Sequence, residues 1–312
     1  MDFYRKILLT FLIGLLSFVA AHKIYAQEAN VSTLVQQAQK AGIKPEALTD
    51  LQNRAREHGV NNQQLGMIIK TAISMSDEGL PADVAIQKSL EGFSKGIPVN
   101  RIISVVQREH TSLGQAAKIV DPWMKNQQIQ DMMDRSNRRM PEKTFRNELT
   151  KAASKSLMQN ISSEDVNGVL SQISDKSVLS KAGPADIVAA IGIIPDLPSS
   201  AGPKASANFV VRALKGGFKA NDLQKLPSAV KMAQQRSELP AASVLEGVAG
   251  QMKKGVPARQ IIQNLFNGKV GGGPPGHRPK GLGPNSNHGN AGQNSNHGNG
   301  GGQSNHGHSN GS

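Results

Sequence analysis

The chain has 312 residues, a net charge of +13 and no cysteine. Without cysteine it cannot form disulfides, thiolate metal sites, a cysteine nucleophile or a lipid anchor on cysteine. Beyond residue 26 the only Phe, Tyr or Trp residues are Trp123 and five phenylalanines. This composition disfavours the stacking surfaces that bind sugars or single-stranded nucleic acids, so we expect no nucleic-acid partner.

Residues 1–26 have the pattern of a secretory signal peptide. Arg5 and Lys6 precede an apolar run over residues 7–21, and small residues follow up to Ala26. Cleavage after Ala26 is favoured, and cleavage after Ala21 also fits. The apolar run is shorter than the ~20 residues of a spanning helix, so an uncleaved anchor is the less favoured alternative. We predict an exported protein, periplasmic or secreted, with no transmembrane span after cleavage.

Two segments of the chain, residues 80–106 and 239–265, are similar to each other. Such self-similarity is typical of helical repeats and resembles the cadence of helical solenoid proteins. We predict an all-α chain of antiparallel helical repeats, α-solenoid-like or an irregular helical bundle, with an N-terminal block at 27–122 and a C-terminal block at 207–270. Most of the identical positions hold residues that begin or end helices or that pack in a core, and none holds an acid, a nucleophile or a metal ligand. They are Leu80/Leu239, Pro81/Pro240, Ala82/Ala241, Lys95/Lys254, Gly96/Gly255, Pro98/Pro257, Ile102/Ile261 and Ile103/Ile262.

A glycine followed by an apolar residue marks each predicted corner. Glycine accepts the left-handed conformation that ends a helix, and the next apolar residue folds back on the last turn in a Schellman cap. A proline soon after the glycine opens the next helix. At Glu238 a glutamate stands where this pattern expects glycine. The predicted corner glycines are Gly42, Gly59, Gly79, Gly96, Gly217 and Gly255.

Between these corners the apolar residues recur at helical spacing. Such stripes are typical of helix faces that pack in a core. The stripes are Leu48, Leu51 and Ala55; Leu65, Ile68, Ile69 and Ala72; Ile102, Ile103 and Val106; and Ile261, Ile262 and Leu265.

The middle of the chain, 123–193, is predicted to be irregular, polar and basic. Pro122 is expected to break the preceding helix, and two polar helices are expected over 123–139 and 141–159. Their basic residues are Lys125, Arg135, Arg138, Arg139, Lys143, Arg146, Lys151 and Lys155.

Two further features are predicted after residue 160. Ser162 or Ser163 is expected to cap a helix that runs to about Ile173. The segment 194–206 contains three prolines and is predicted to be a linker.

The tail, 271–312, consists mostly of Gly, Asn, Ser, Gln and His and is predicted to be disordered. Neutral imidazoles bind Ni²⁺, Cu²⁺ or Zn²⁺, so a weak metal site in this tail is one hypothesis and a hydrophilic spacer is the other. The candidate ligands are His277, His288, His297, His306 and His308. No other cofactor is predicted.

No catalytic constellation is predicted in the remaining sequence. Residues 92–96 match the G-x-S-x-G pattern, but that motif requires a strand before the serine, and here it lies at a predicted helix end. His58 and His110 have no second histidine at helical spacing and no evident Ser or Asp partner. We therefore predict no catalytic or cofactor-binding residues and a non-enzymatic protein.

The positive charge is unevenly distributed along the chain. Residues 27–105 are neutral, whereas residues 205–270 contain ten basic and three acidic residues. A basic excess on an exported protein favours contact with anionic surfaces, although solubility alone also explains it. The leading hypothesis is an interaction scaffold in the cell envelope that binds a protein or an anionic envelope component. The alternative is a metal-handling protein that acts through its histidine tail.

Overall fold

The computed structural model describes residues 31–136 and 140–271, and these residues form helices and turns without any strand. The all-α prediction is confirmed. The predicted signal peptide and all but the first residue of the predicted tail lie outside the described residues. The helices are α1 (31–40), α2 (Pro45–Glu57), α3 (Asn62–Asp77), α4 (Asp83–Ser94), α5 (Val99–Met124), α6 (Gln127–Ser136), α7 (Glu142–Met158), α8 (Ser163–Ile173), α9 (Lys176–Leu179), α10 (Pro184–Ile193), α11 (Pro203–Lys215), α12 (Ala220–Leu223), α13 (Leu226–Ser237), α14 (Ala241–Lys253) and α15 (Ala258–Phe266).

The glycine corners adopt the predicted left-handed conformation. All six glycines have φ between +64° and +84°, and each closes a Schellman pair of hydrogen bonds. At the corner after α4, for example, Gly96 N–H donates to the Phe93 carbonyl at 2.9 Å, and Ile97 N–H donates to the Gly92 carbonyl at 2.9 Å. The sequence pattern therefore identified real helix ends.

Glu238 takes the left-handed conformation without being glycine. Its φ of 55° and ψ of 17° end α13 at the position that the repeat assigns to a corner. Asn160, with φ of 63°, follows the C-cap of α7 and closes the same pair of hydrogen bonds as the glycine corners. This helix end was not predicted from the sequence, although asparagine is the residue after glycine that most readily tolerates this conformation.

The predicted apolar stripes are buried. Every residue of the four stripes is at most 8% exposed, as in the core of a folded domain. In the related segments 80–106 and 239–265, α4 and α14 begin and end at matching positions within one residue, and α5 and α15 begin at matching positions. The match stops there, because α5 runs to Met124 whereas α15 ends at Phe266. Their surroundings differ, because α4 packs against α2, α3 and α5, whereas α14 packs against α11, α13 and α15. A continuous repeat array therefore remains a prediction.

Two hydrophobic clusters share the long helix α5. The first cluster spans Val31 to Ala117 and joins helices α1–α4 to the first part of α5. The second spans Ala116 to Val270 and joins the end of α5 to all the later helices that bury apolar residues. Because α5 contributes to both clusters, it fixes the first four helices against the helices that follow it.

Polar contacts on α7 connect the same two groups of helices. Arg146 donates to both carboxylate oxygens of Asp121 on α5, at 2.7 and 2.9 Å, and to the carbonyl of Gly79 at 2.6 Å. Lys151 lies 2.9 Å from the carboxylate of Asp83 on α4. A bidentate arginine pair fixes orientation as well as distance, so these contacts set how α7 meets the N-terminal helices.

The predicted break at Pro122 is wrong. Pro122 lies inside α5, which continues to Met124. Pro122 lacks the N–H that would bond to the carbonyl four residues earlier, and its ring crowds that carbonyl, yet Trp123 and Met124 are buried in the second cluster. We infer that the burial of these two large side chains outweighs the lost bond. The first polar helix accordingly begins at Gln127 rather than at residue 123.

The helices after Pro141 agree more closely with the sequence. Pro141 precedes α7, and the Ser162 hydroxyl accepts a hydrogen bond from Asp165 N–H at 3.0 Å as the cap of α8. The segment 194–206 forms two 3₁₀ turns before α11 begins. Its Ile194 and Leu197 are buried in the second hydrophobic cluster, so this segment is packed against the helices that it connects.

Replacing Gly96 with valine is expected to lower the free energy of unfolding by about 1–2 kcal/mol, because a β-branched residue is strained in the left-handed conformation. No heavy atom lies within 4 Å of a Cβ built on Gly96, so the cost comes from the backbone and not from a clash. The melting temperature measured by circular dichroism checks this prediction. An unchanged value would contradict it.

The opposite substitution, from a non-glycine residue to glycine, can be made at Glu238. Its replacement by glycine relieves the strain at φ 55°, and the exposed Glu238 side chain makes no hydrogen bond or ion pair within the described residues. We expect Glu238→Gly to raise the melting temperature, since strain relief of about 1 kcal/mol exceeds the added freedom of the unfolded chain.

Candidate functional site

The two histidines of the described residues have structural partners. The His58 ring stacks on Phe93, with ring centroids 5.5 Å apart and an interplanar angle of 22°. His110 Nε2 lies 2.9 Å from Glu78 Oε1. The Ser74 hydroxyl donates to the same carboxylate oxygen at 3.1 Å. Because this serine bonds to the carboxylate and not to the imidazole, the three residues do not form a nucleophile–base pair.

The G-x-S-x-G match lies where the sequence placed it. Ser94 is the last residue of α4, and it is exposed.

Glu91, one helical turn before Ser94, is a carboxylate held by two lysines. It accepts hydrogen bonds from Lys95 and Lys88, and these bonds lower its pKa to about 2. A carboxylate with so low a pKa stays ionised and is unsuited to general acid catalysis near neutral pH.

Glu109 is a buried carboxylate that was not predicted from the sequence. It is 7% exposed on α5, where it faces α7 and accepts a hydrogen bond from the Ser154 hydroxyl at 3.3 Å. Burial raises its pKa, while the Ser154 bond and the charge of Lys88 act in the opposite direction. Glu109 falls between Val106 and Leu113 in an apolar stripe, and that position was the available signal.

Glu109→Gln is expected to flatten the dependence of stability on pH. Because the folded pKa is raised, the carboxyl binds its proton more tightly in the folded state. The contribution of Glu109 to the free energy of unfolding is therefore fully present below the ordinary glutamate pKa and is lost as the pH rises through the raised pKa of the folded state. We expect the glutamine variant to melt at a higher temperature than the wild type near pH 7, with a smaller difference near pH 4.

The control for this prediction is Glu246→Gln, which changes an exposed glutamate on α14. It should leave the pH profile of melting unchanged. A Glu109→Gln profile that runs parallel to the wild type from pH 4 to 8 would show that Glu109 does not titrate differently in the folded state.

Unpaired positive charge is the main electrostatic feature of the C-terminal helices. Of the ten basic residues in 205–270, only Lys219 has an acidic partner within 4 Å among the described residues. That partner, Asp186, also accepts hydrogen bonds from Gly183 and Ala220 N–H. The other nine basic side chains have no acidic partner within 4 Å among the described residues, and of these Lys215 interacts at longer range with Asp175.

A first cleft, of about 340 Å³, lies between α6 and the start of α10. Its walls include Arg135, Lys181 and Lys219, with Asp186 as the counter-charge. Lys181 Nζ donates to the carbonyl of Lys215 at 3.1 Å. This cleft is therefore partly neutralised, and its lysines also bind backbone carbonyls.

A second cleft, the cationic groove, has a volume of about 520 Å³ and lies between the end of α11 and α14. It is lined by Arg212 and Lys215 of α11, by Gly216 just after that helix, and by Ala249, Met252 and Lys253 of α14. The three basic side chains are exposed, whereas Ala249 is buried and Met252 is half-buried beneath them. The groove thus combines three positive charges with an apolar floor and has no acidic residue in its lining.

The sequence anticipated the charge of this region but not the groove. Arg212 and Lys253 are 41 positions apart, and only the packing of α11 on α14 brings them together. The predicted metal ligands of the tail lie outside the described residues. Within the described residues no group of three or more His, Cys, Asp or Glu side chains is arranged to hold a metal ion.

Comparisons with protein-family models, curated proteins and solved structures found no match to this chain. None of the helices in the part of the chain that the structure describes is long and apolar enough to cross a membrane.

Proposed function

We propose that this chain is an exported, non-enzymatic binding protein that uses the cationic surface of its C-terminal helices to engage an anionic component of the cell envelope. The observation that carries the proposal is the set of nine basic residues in 205–270 without an ion-pair partner among the described residues. Exposed and unneutralised charge of one sign attracts ligands of the opposite sign and accelerates their encounter. The predicted signal peptide supports a partner in the envelope.

The proposal is tested by crosslinking the exported chain in intact envelopes, purifying it and identifying what it retains. Retention of an anionic component should fall steeply as salt is added, because salt screens exposed charges over about 10 Å at 0.1 M. A variant with Arg212, Lys215, Lys253 and Lys254 changed to glutamine should lose most of it. Retention that is indifferent to both salt and these substitutions would refute the proposal.

A matched control removes the same charge elsewhere. Four of the exposed basic residues in the N-terminal block that have no ion pair among the described residues serve for this, and their replacement by glutamine should leave retention intact: Lys40, Lys44, Arg56 and Lys70. A chain ending at Val270 separates the helices from the tail. A partner lost only with that truncation would assign the function to residues 271–312.

The second candidate function is metal handling by the histidines of the tail, because several imidazoles together can bind one Ni²⁺, Cu²⁺ or Zn²⁺ ion. His288, His297 and His306 are nine residues apart, and closing a nine-residue loop for each ligand has an entropic cost, so the proposed site is a weak one. Isothermal titration of the full chain with Ni²⁺, Cu²⁺ or Zn²⁺ should release heat that the chain ending at Val270 does not. Equal heats from both chains would remove the tail from consideration.

A further inference from the structure

The cationic groove is built from two helix ends that meet closely. Gly216 follows the last residue of α11, and a Cβ added there would lie 3.7 Å from Met252 Cγ on α14. That distance is an ordinary van der Waals contact, so the end of α11 lies against α14 here, and Met252 and Ala249 form the apolar floor of the groove. Arg212 and Lys215 stand on one side of this floor and Lys253 on the other.

The charges of the groove suit a phosphate group. A phosphate monoester carries about −1.5 to −2 charges and a diester about −1, each with several acceptor oxygens. Arginine presents a planar fork to phosphate oxygens, and lysine adds point charges on flexible stems. None of the three basic side chains has an acidic partner within 4 Å among the described residues, although Lys215 interacts at longer range with the exposed carboxylate of Asp175. A bound phosphate would therefore displace no close ion pair.

The apolar floor and the volume of the groove favour a ligand that carries an apolar part beside its phosphate. A volume of about 520 Å³ is in the range of sites for small molecules or headgroups, ~300–1,000 Å³.

The helix dipole offers another explanation for these charges. Arg212, Lys215 and Lys253 lie in the last turns of their helices, where positive charge interacts favourably with the dipole. That role accounts for the charge of each helix end, but it does not require three charges to surround an apolar floor.

We infer that the cationic groove binds the phosphate headgroup of an anionic phospholipid, with Met252 and Ala249 in contact with the apolar part of the lipid. This inference rests on the proposed function and names the anionic component for one site. Arg212, Lys215 and Lys253 bind the phosphate oxygens. The stems of these long side chains lie along the apolar surface while their charged ends contact the headgroup.

The test measures co-sedimentation of the full exported chain with vesicles of phosphatidylglycerol and phosphatidylcholine in equal amounts. The wild type should sediment with these vesicles and not with pure phosphatidylcholine. The variant Arg212→Gln/Lys215→Gln/Lys253→Gln should bind about a hundredfold more weakly, since each basic residue near an anionic surface contributes about one kcal/mol. Met252→Ser should weaken binding severalfold without any change of charge. Circular dichroism establishes that each variant is folded.

A set of controls separates the inference from the proposed function. The variant Lys40→Gln/Lys44→Gln/Lys70→Gln removes the same charge and should bind vesicles as the wild type does. Equal binding by the groove variant and this control would overturn the inference, as would binding that Met252→Ser does not affect. Inorganic phosphate is added to the vesicle-bound chain as a competitor. Release of the chain at a phosphate concentration no higher than that of the anionic lipid would also overturn the inference, because the ligand would then be free phosphate. Salt-sensitive retention of another anionic envelope component, without vesicle binding, would refute the lipid and leave the proposed function standing.

Discussion

Replacing Phe145 with alanine is expected to lower the free energy of unfolding by about 3–5 kcal/mol, because a large buried aromatic side chain leaves both a cavity and lost contacts. Phe145 is fully buried on α7, and its ring meets Trp123 edge-on with the centroids 6.3 Å apart. Trp123 itself donates from Nε1 to the Leu170 carbonyl at 2.8 Å. The contact therefore joins α5, α7 and α8 at the centre of the second cluster.

Urea denaturation checks this prediction with two signals. Trp123 is the single tryptophan of the chain, so its fluorescence reports on the second cluster, while circular dichroism reports on all helices. Phe145→Leu serves as the control and should cost clearly less, because leucine fills more of the site. A loss below 1 kcal/mol for the alanine variant would show that the neighbouring helices collapse into the cavity.

Asp186→Ala is expected to cost about 3 kcal/mol, since removal of a buried acceptor leaves backbone donors without a partner. The Asp186 carboxylate accepts from Gly183 N–H at 3.0 Å and from Ala220 N–H at 2.8 Å. It also lies 3.3 Å from Lys219 Nζ, and its side chain is 11% exposed. One carboxylate thus caps α10 and fixes the start of α12, 34 residues later in the chain.

The matched control is Asp196→Ala, which breaks an ion pair with Lys155 of 2.6 Å. Both side chains of that pair are more than 40% exposed, and exposed pairs contribute at most about 1 kcal/mol. Thermal and urea unfolding of the two variants should therefore differ clearly. Equal losses would show that the Asp186 hydrogen bonds add nothing beyond a surface charge pair.

The local signals in the sequence led to accurate predictions of helix ends. Glycine is the residue that best tolerates positive φ, so Gly42, Gly59 and Gly96 mark corners where apolar stripes end beside them, whereas Gly66 and Gly92 lie inside helices. Pro122 shows the limit of this reasoning. Its local preference is to end a helix, yet the burial of Trp123 keeps α5 helical to Met124. A local rule failed there because a core contact of larger energy opposed it.

The candidate site was less accessible to sequence reasoning. Net charge along a segment can be counted, and the +7 of residues 205–270 was evident from the sequence. Whether those charges converge depends on which helix faces meet. The contact of His110 with Glu78 shows the same dependence, because the two residues are 32 positions apart and lie on different helices. No local sequence pattern predicts either the groove or the contact of His110 with Glu78.

The sequence by itself determined the helical class, the corners and the buried stripes, because backbone conformation and amphipathic spacing depend on residues at most a few positions apart. Only the tertiary structure decided that α5 belongs to two hydrophobic clusters, that Asp186 caps two distant helix starts and that α11 meets α14 to form the cationic groove. These features depend on the energies of contacts between residues far apart in the chain, and such contacts are selected by packing the whole chain at once.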